Sequence, residues 1–578
     1  MKCLQSARFA HCISVRNRAF SLSHPHSRPA RDFKPSSQIS TMAFTQSAVG
    51  VAACEGLNKP IAQELVDFIN YSWTPYHAVE EASQRLMAAG FQHISEKAQW
   101  DIQPGGKYFF TRNTTTIVAF AVGGLYAPGN GFYMVGAHTD SPCLKLKPIS
   151  KATKSGFLMV NAECYGGGLW TTWFDRDLGL AGRVLVRGSD GTSITQRLVK
   201  VARPIMRIPM LAIHLQPAEF RTTGFKPNLQ TNFAPLLATA IKAQLGLSEP
   251  PTSTTGSGKS NSDSAAVGSA TASVPLPPVR PEASKHHPVL MELLAKDLGV
   301  QVADIVDFEL HVCDVQPAVI GGVQEEFVFA GRLDNLAMSY VALQSLIDSC
   351  AGEEALAQET GVRSVALFDH EEVGSDSAQG AGGPVMRDTI RRVAGALAGG
   401  QEGAVERATL SSFLVSADMA HALHPNYSDK HDPEHQPKFH EGLVVKHNHN
   451  QRYATNAVSA ALFREVGRLR GIPCQEFSVR NDMPCGSTIG PILASALGCR
   501  TVDVGIPQLS MHSIREMCGV DDVGIAYRHL LAFFQEISAL GEALDVDSLP
   551  PANLRGTIDD TACHHTHTKA PLIDPTPK

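Results

Sequence analysis

The apolar run Val362–Phe368 passes without a break into Asp369-His370-Glu371-Glu372. A short run of this kind reads as a buried strand. Four adjacent ionisable groups at the end of a buried strand are costly unless a metal ion, water or a partner compensates them. Adjacent carboxylates also divide roles naturally: one holds a cation while the other takes a proton from water. The fold must therefore deliver this charge to a place that stabilises it.

Further short apolar runs, bounded by Gly, Pro and Asn, predict strands at Thr116–Val122, Phe132–Ala137 and Val502–Ile506, with a weaker one at Glu476–Val479. Helical periodicity predicts helices over 59–71, 77–89, Leu336–Ile347, Thr455–Arg468, Gly490–Leu497 and Val523–Leu540. Strands alternating with helices argue for an α/β sheet covered on both faces. Between about 143 and 320 this rhythm gives way to short strand-like segments such as Gly182–Val186 and Ile208–Leu215. That change predicts a β-rich domain, 143–320, inserted into an α/β domain built from 51–142 and 321–545. Insertion at a surface loop is tolerated because a domain's termini usually lie close together.

Residues 1–50 read as an N-terminal extension. Within 1–41, Lys2, Arg8, Arg16, Arg18, Arg28, Arg31 and Lys34 stand against a single acid, Asp32. This composition suits either a mitochondrial presequence or an untranslated, dispensable stretch ahead of a true start at Met42. The Pro/Ser-rich stretch 249–285 and the tail 546–578 cannot bury enough apolar surface to offset the entropy of ordering, and both read as disordered.

Composition removes whole classes of function. The formal net charge of −6 and a charged fraction of 18% disfavour nucleic-acid binding through a basic field. No stretch reaches the roughly 18 apolar residues of a membrane span. Twelve cysteines without a C-x-x-C pair read as reduced, mostly buried thiols of an intracellular protein. There is no P-loop, the run Gly166-Gly167-Gly168 lacks the context of a dinucleotide fingerprint, and no G-x-S-x-G elbow is present.

What remains is a set of His and acidic residues at the ends of apolar runs, where open α/β sheets place their ligand sites. His138 and Asp140 follow Phe132–Ala137, as ligand and orienting carboxylate or as a satisfied loop pair. Asp334 precedes a helix, as ligand or N-cap. Asp418, with His421 beyond it, ends the run from Phe413, again as ligand or cap. His512 follows Val502–Ile506, as ligand or loop histidine. Together with Glu371 and Glu372, these residues suit a pair of Zn²⁺-like or Mn²⁺-like ions sharing a bridging carboxylate.

Seven segments occur in order: GAHTDSP (136–142), YGGGLWTTWFDRDL (165–178), GRLDNL (331–336), DHEEVGS (369–375), SADMAHA (416–422), NDMPCGSTIGP (481–491) and MHSIRE (511–516). In these segments the chain resembles the aspartyl aminopeptidases of peptidase family M18, dinuclear zinc metallopeptidases, over roughly residues 55–540. The resemblance implies a zinc-peptidase-like mixed-sheet α/β sandwich whose inserted β-rich domain serves dimerisation. It implies that His138 and Asp418 hold one metal ion, that Glu372 and His512 hold the other, and that Asp334 bridges them. Glu371 is then the general base and Asp140 orients His138. His214 reaches into a neighbouring subunit's active site, and Lys446 reads the acidic side chain of the substrate. The implied reaction releases N-terminal Asp or Glu from peptides by attack of a water activated between two divalent ions. Those ions are expected to be Zn²⁺, with Mn²⁺ or Co²⁺ as alternatives. The expected assembly is a homodimer building a tetrahedral homododecamer, with no nucleic-acid or membrane partner. Cytoplasm is the expected location, with vacuole or mitochondrion as alternatives. The competing functions are a dinuclear aminopeptidase of broader specificity and a non-catalytic peptide-binding homologue.

Overall fold

The structure, a computed structural model, describes residues 50–246, 285–352, 354–544 and 546. Apart from Gly50, Lys285 and Val546, the expected extension, the 249–285 stretch and the tail lie outside the described residues.

The central element is a nine-stranded mixed sheet in the order Gln92–His93, Lys107–Arg112, Thr116–Val122, Val362–Phe368, Phe132–His138, Phe413–Ala417, Arg500–Gly505, Leu443–His447, Cys474–Ser478. Its middle is parallel: Val362–Phe368 and Phe413–Ala417 flank Phe132–His138, and Arg500–Gly505 joins beyond. Neighbouring strands pair a central strand's edges, and the helices packed on the sheet hide its faces from water. That is why Thr116–Val122, Phe132–His138 and Val362–Phe368 are buried at every position and read as continuous runs rather than alternating ones.

One face, carrying Val118, Phe120, Phe132, Met134, Ala366 and Phe368, packs in a single core with Val385, Ile390, Ile489 and Leu493 of the helices Val385–Leu397 and Ile489–Leu497. The helices Leu333–Ser349 and Val520–Ala543 pack against each other and also against Phe132–His138. The helix Ala457–Arg470 starts at a capping box, with the Asn456 side chain accepting from the N–H groups of Val458 and Ser459. It ends at Gly471 in the left-handed conformation. These are the α/β layers that the periodicity predicts, with helix ends shifted by a few residues.

Between Cys143 and Asp314 the chain forms a second, antiparallel six-stranded sheet, ordered Ile194–Met206, Leu178–Arg187, Ile305–Asp314, Cys143–Lys154, Phe157–Tyr165, Leu236–Thr239. The helix Pro288–Leu298 lays Leu290, Met291 and Leu294 on its core. Gly182–Val186 lies in one of these strands, but Ile208–Leu215 does not form a strand. The ladder stops at Met206, and residues 213–215 turn into a short 3-10 helix. Pro209 has no N–H to give a ladder, and the N–H of Met210 goes to the Asp175 carboxylate instead. A third sheet has five short strands, Val319–Gly321, Phe327–Ala330, Glu516–Gly519, Pro507–Leu509 and Ala420–His421, two of which directly follow the parallel strands Arg500–Gly505 and Phe413–Ala417 in the chain. No helix among the described residues is long and apolar enough to cross a membrane.

Candidate metal centre

The parallel register places the chemistry. Phe368 pairs with His138, so the residues after Phe368 leave the sheet beside that histidine. Asp418 follows the neighbouring strand Phe413–Ala417. Asp334 comes from the first turn of the helix Leu333–Ser349, where it and Asn335 depart from helical geometry across a cis peptide bond. Asp334 is not the N-cap; Arg332 holds that position. His512 arrives on the loop between Pro507–Leu509 and Glu516–Gly519.

The side chains converge as two donor sets. His138, Glu371 and Asp418 form one; Asp334, Glu372 and His512 form the other; within each, the candidate ligand atoms lie within 4.8 Å of one another. His138 Nε2 is 3.4 Å from Asp418 Oδ1, 3.6 Å from Asp334 Oδ1 and 3.8 Å from Glu371 Oε2. His512 Nε2 is 3.4 Å from Glu372 Oε2 and 3.5 Å from Asp334 Oδ2. The two oxygens of Asp334 thus face different histidines, the arrangement a bridging carboxylate requires. Both histidines present Nε2 to the centre. His138 Nδ1 is 3.1 Å from the Asp140 main-chain oxygen and 3.4 Å from its carboxylate, and His512 Nδ1 is 3.0 Å from the Gly167 carbonyl. Such contacts fix which ring nitrogen stays free for a metal.

The electrostatics are those of acids crowded out of water. Burial raises Glu371 to about 8, and Asp418 and Asp140 add to the rise against the pull of His138. Burial, then repulsion from Asp334, drives Glu372 well above the ordinary range. Asp334 is also raised, by burial and then by Asp418. Burial opposes charge on His512, but Asp334 and Glu372 outweigh it and lift the imidazole to about 10. Glu371, Asp140 and Asp418 likewise hold His138 well above its usual value against burial. Asp418 is the exception: burial would raise it, but Lys446 and His138 pull it below the carboxylate range.

A centre so arranged is short of positive charge. Asp334 Oδ1 and Glu372 Oε1 are buried, and neither has a hydrogen-bond partner among the described residues. An orphaned buried carboxylate oxygen is costly. Two divalent cations, each accepting one imidazole nitrogen and carboxylate oxygens, supply what is missing. The donor sets fit a dinuclear metal centre.

The other predicted residues fall in two groups. Asp140 is buried behind His138, and its carboxylate accepts the backbone N–H groups of Glu371 (3.2 Å) and Glu372 (3.1 Å). Lys446 is no solvated lysine: it is 2% exposed, and Nζ donates to the main-chain oxygens of Asp418 (2.9 Å) and Met419 (3.1 Å). His214, on the turn Ile213–Leu215, is exposed and stands outside both donor sets of its own chain. His421, on the edge strand Ala420–His421, is also outside them. Sequence reasoning misses Glu516. Buried at 3% exposure, it accepts the N–H of Asp334 (3.1 Å) and of His512 (2.8 Å), and so backs two members of one donor set. No spacing signal marks it, because its contacts run to main-chain atoms.

The comparisons with known proteins agree with this geometry. The family model described as Aminopeptidase I zinc metalloprotease (M18) matches residues 68–534. The chain is 54% identical over 496 residues to the probable aspartyl aminopeptidase of Ricinus communis, covering 85% of this chain and 98% of that protein. Among solved structures, it superposes on a chain of the cryo-EM structure of the Ape4 and Nbr1 complex with TM-score 0.77 and 43% identity, covering 86% of this chain and 89% of that one. The S. cerevisiae mApe1 dodecamer gives TM-score 0.70 at 30% identity, covering 84% of this chain and 98% of that one. The chain belongs to the M18 family of metallo-aminopeptidases.

Proposed function

We propose that the protein removes a single Asp or Glu from the N-terminus of peptides, with zinc as its resident metal. The observation that carries this reading is Asp334, whose two oxygens face His138 and His512 separately while Glu371 stands beside them. The aspartyl aminopeptidase that the chain resembles over 98% of its length supports the acidic preference.

When bound, two divalent ions supply Lewis acidity and make water a nucleophile near neutral pH. His138 and Asp418 would hold one ion, Glu372 and His512 the other, with Asp334 shared. Glu371 takes a proton from the attacking water and returns it to the leaving amine. Asp140 keeps Glu371 in place through the backbone N–H bond. The crowd of carboxylates also suits a free α-amine, which restricts the site to chain ends. Lys446 supplies the cation that an acidic side chain needs: its Nζ lies 3.5 Å from Asp418 Oδ2, a contact long enough to exchange for a substrate carboxylate.

His214 acts in a second copy of the chain, donating to the carbonyl oxygen as negative charge develops there. It sits among Leu211, Ile213 and Leu215, which are 45%, 62% and 70% exposed, an apolar patch that a partner subunit would cover. A homodimer that builds a homododecamer is the assembly we infer, in keeping with the mApe1 dodecamer.

Chelation should abolish turnover, and Zn²⁺ should restore it with two ions bound per chain. Full activity of the metal-free protein would contradict this mechanism.

A further inference from the structure

We propose that Tyr165 is a positioning residue for the metal centre, and that residues 165–169 form a strap through which the six-stranded sheet sets metal affinity. The proposal rests on the dinuclear reading above and concerns how that centre is held.

Tyr165 is the last residue of the strand Phe157–Tyr165, in the sheet that does not itself supply a metal ligand. Its hydroxyl donates to Asp140 Oδ2 at 2.7 Å. The same oxygen accepts the N–H of Glu372 at 3.1 Å, while Oδ1 accepts the N–H of Glu371 at 3.2 Å and lies 3.4 Å from His138 Nδ1. One carboxylate thus aligns a metal histidine, a metal carboxylate and the base. The Tyr165 hydroxyl adds a third hydrogen bond to this carboxylate and so further fixes its orientation. Lys145, on the neighbouring strand Cys143–Lys154, places Nζ 3.7 Å from the Tyr165 ring centroid and restrains the ring.

The chain then turns across the centre. Gly166 has φ +75°, and a Cβ there would stand 3.1 Å from Glu372 Cβ, so close passage over Glu372 requires glycine. The carbonyl of Gly167 faces His512 Nδ1 at 3.0 Å, and Leu169 N–H donates to the His512 carbonyl at 2.8 Å. Farther on, Thr172 Oγ1 accepts the N–H of Ile514 at 3.0 Å. Within a few residues one segment touches the outer side of both metal histidines, His138 through Asp140 and His512 directly. Partners of this kind fix the orientation and basicity of the ligand, and their loss typically weakens metal binding by about 10–100-fold.

The test uses the full-length protein and its Tyr165→Phe variant, which removes one oxygen and keeps the ring. Dissociation constants for Zn²⁺ are read by competition with a chelator, and the site geometry by the visible absorption of the Co²⁺-loaded protein. We expect Zn²⁺ to bind at least about 10-fold more weakly to the variant. The Co²⁺ band should shift, and kcat should fall with KM within about 2-fold, while the metal-free proteins melt within about 2 °C of each other. Gly166→Ala, which crowds Glu372 from the strap, should also weaken Zn²⁺ binding by about 10-fold or more. Affinities within about 2-fold of the parent in both variants, or losses matched by a drop in metal-free melting temperature, would overturn the strap while leaving the dinuclear reading intact. Failure of the parent protein to take up two ions would overturn both.

Discussion

Lys446 Nζ lies 3.5 Å from Asp418 Oδ2 and donates at 2.9 Å to the main-chain oxygen of the same residue. The buried ammonium helps hold Asp418 ionised, and in the proposed function it also offers charge to an acidic substrate. Removing one member of a buried, hydrogen-bonded charge pair typically costs 2–5 kcal/mol or more. Lys446→Met should reduce kcat/KM for Asp- and Glu-peptides by at least about 30-fold, and more than for Ala-peptides. The ratio of acidic to neutral kcat/KM is the quantity to measure. An unchanged ratio would remove Lys446 from substrate selection.

Glu371 shares a donor set with His138 and Asp418, and the proposed mechanism sets it apart from them by function rather than position. Glu371→Gln keeps the shape and removes the proton acceptor. Metal analysis should still find two ions per chain, while turnover falls by about 10²–10⁴-fold. Loss of an ion with the base would instead make Glu371 primarily a ligand.

His529 gives the fold a measurable acid sensitivity. It is fully buried, its ring stacks on Phe463 at 4.1 Å, and Nε2 lies 3.0 Å from the Phe463 carbonyl. Burial lowers its pKa from 6.5 to about 4, so below neutrality the unfolded chain binds the proton first. The stability owed to neutral His529 is complete above about pH 6.5 and is lost as pH falls through about 4, reaching about 3 kcal/mol at most. Urea unfolding of the parent and of His529→Gln between pH 7 and 4 should show a steeper decline in the parent. Parallel declines would contradict the assignment.

The patch around His214 predicts that assembly and catalysis are linked. Ile213→Asp combined with Leu215→Asp should shift sedimentation towards smaller species and reduce turnover by about 10²-fold, the scale of one lost oxyanion donor. Mixed oligomers of His214→Ala and Glu371→Gln subunits should regain activity, because a subunit with an intact base can receive His214 from its neighbour. No recovery on subunit exchange would place His214 outside the partner's site.

How much of this is legible in the sequence depends on the kind of contact. Thr116–Val122 and Val362–Phe368 are read correctly because burial on both faces leaves mostly apolar runs, with only Thr116, Arg363 and Ser364 polar, and a run has visible ends. His138, Asp418, Glu371 and Glu372 are legible because they stand at or directly after the ends of apolar strands. Tyr165 and Glu516 are not. Tyr165 reaches Asp140 from another sheet, and Glu516 acts on the backbone of Asp334 and His512, so neither follows from spacing along the chain. The burial of Lys446 is hidden for a related reason. In Leu443–His447 its charge looks like a solvent-facing position, and only the folded chain shows the carbonyls of Asp418 and Met419 that receive it. Ile208–Leu215 misleads because its apolar residues resemble a strand, although only Ile208 is buried and Leu211, Ile213 and Leu215 are exposed around a turn.

The central claim is a two-metal aminopeptidase that selects acidic N-termini. Its most direct test is hydrolysis of Asp-, Glu-, Ala- and Leu-p-nitroanilides by the purified protein, with and without chelator and with Zn²⁺ restored. The predicted result is cleavage confined to Asp and Glu, abolished by the chelator and recovered with Zn²⁺. Equal or faster release from Ala or Leu would keep the metal chemistry and reject the acidic preference, and cleavage untouched by the chelator would contradict the account.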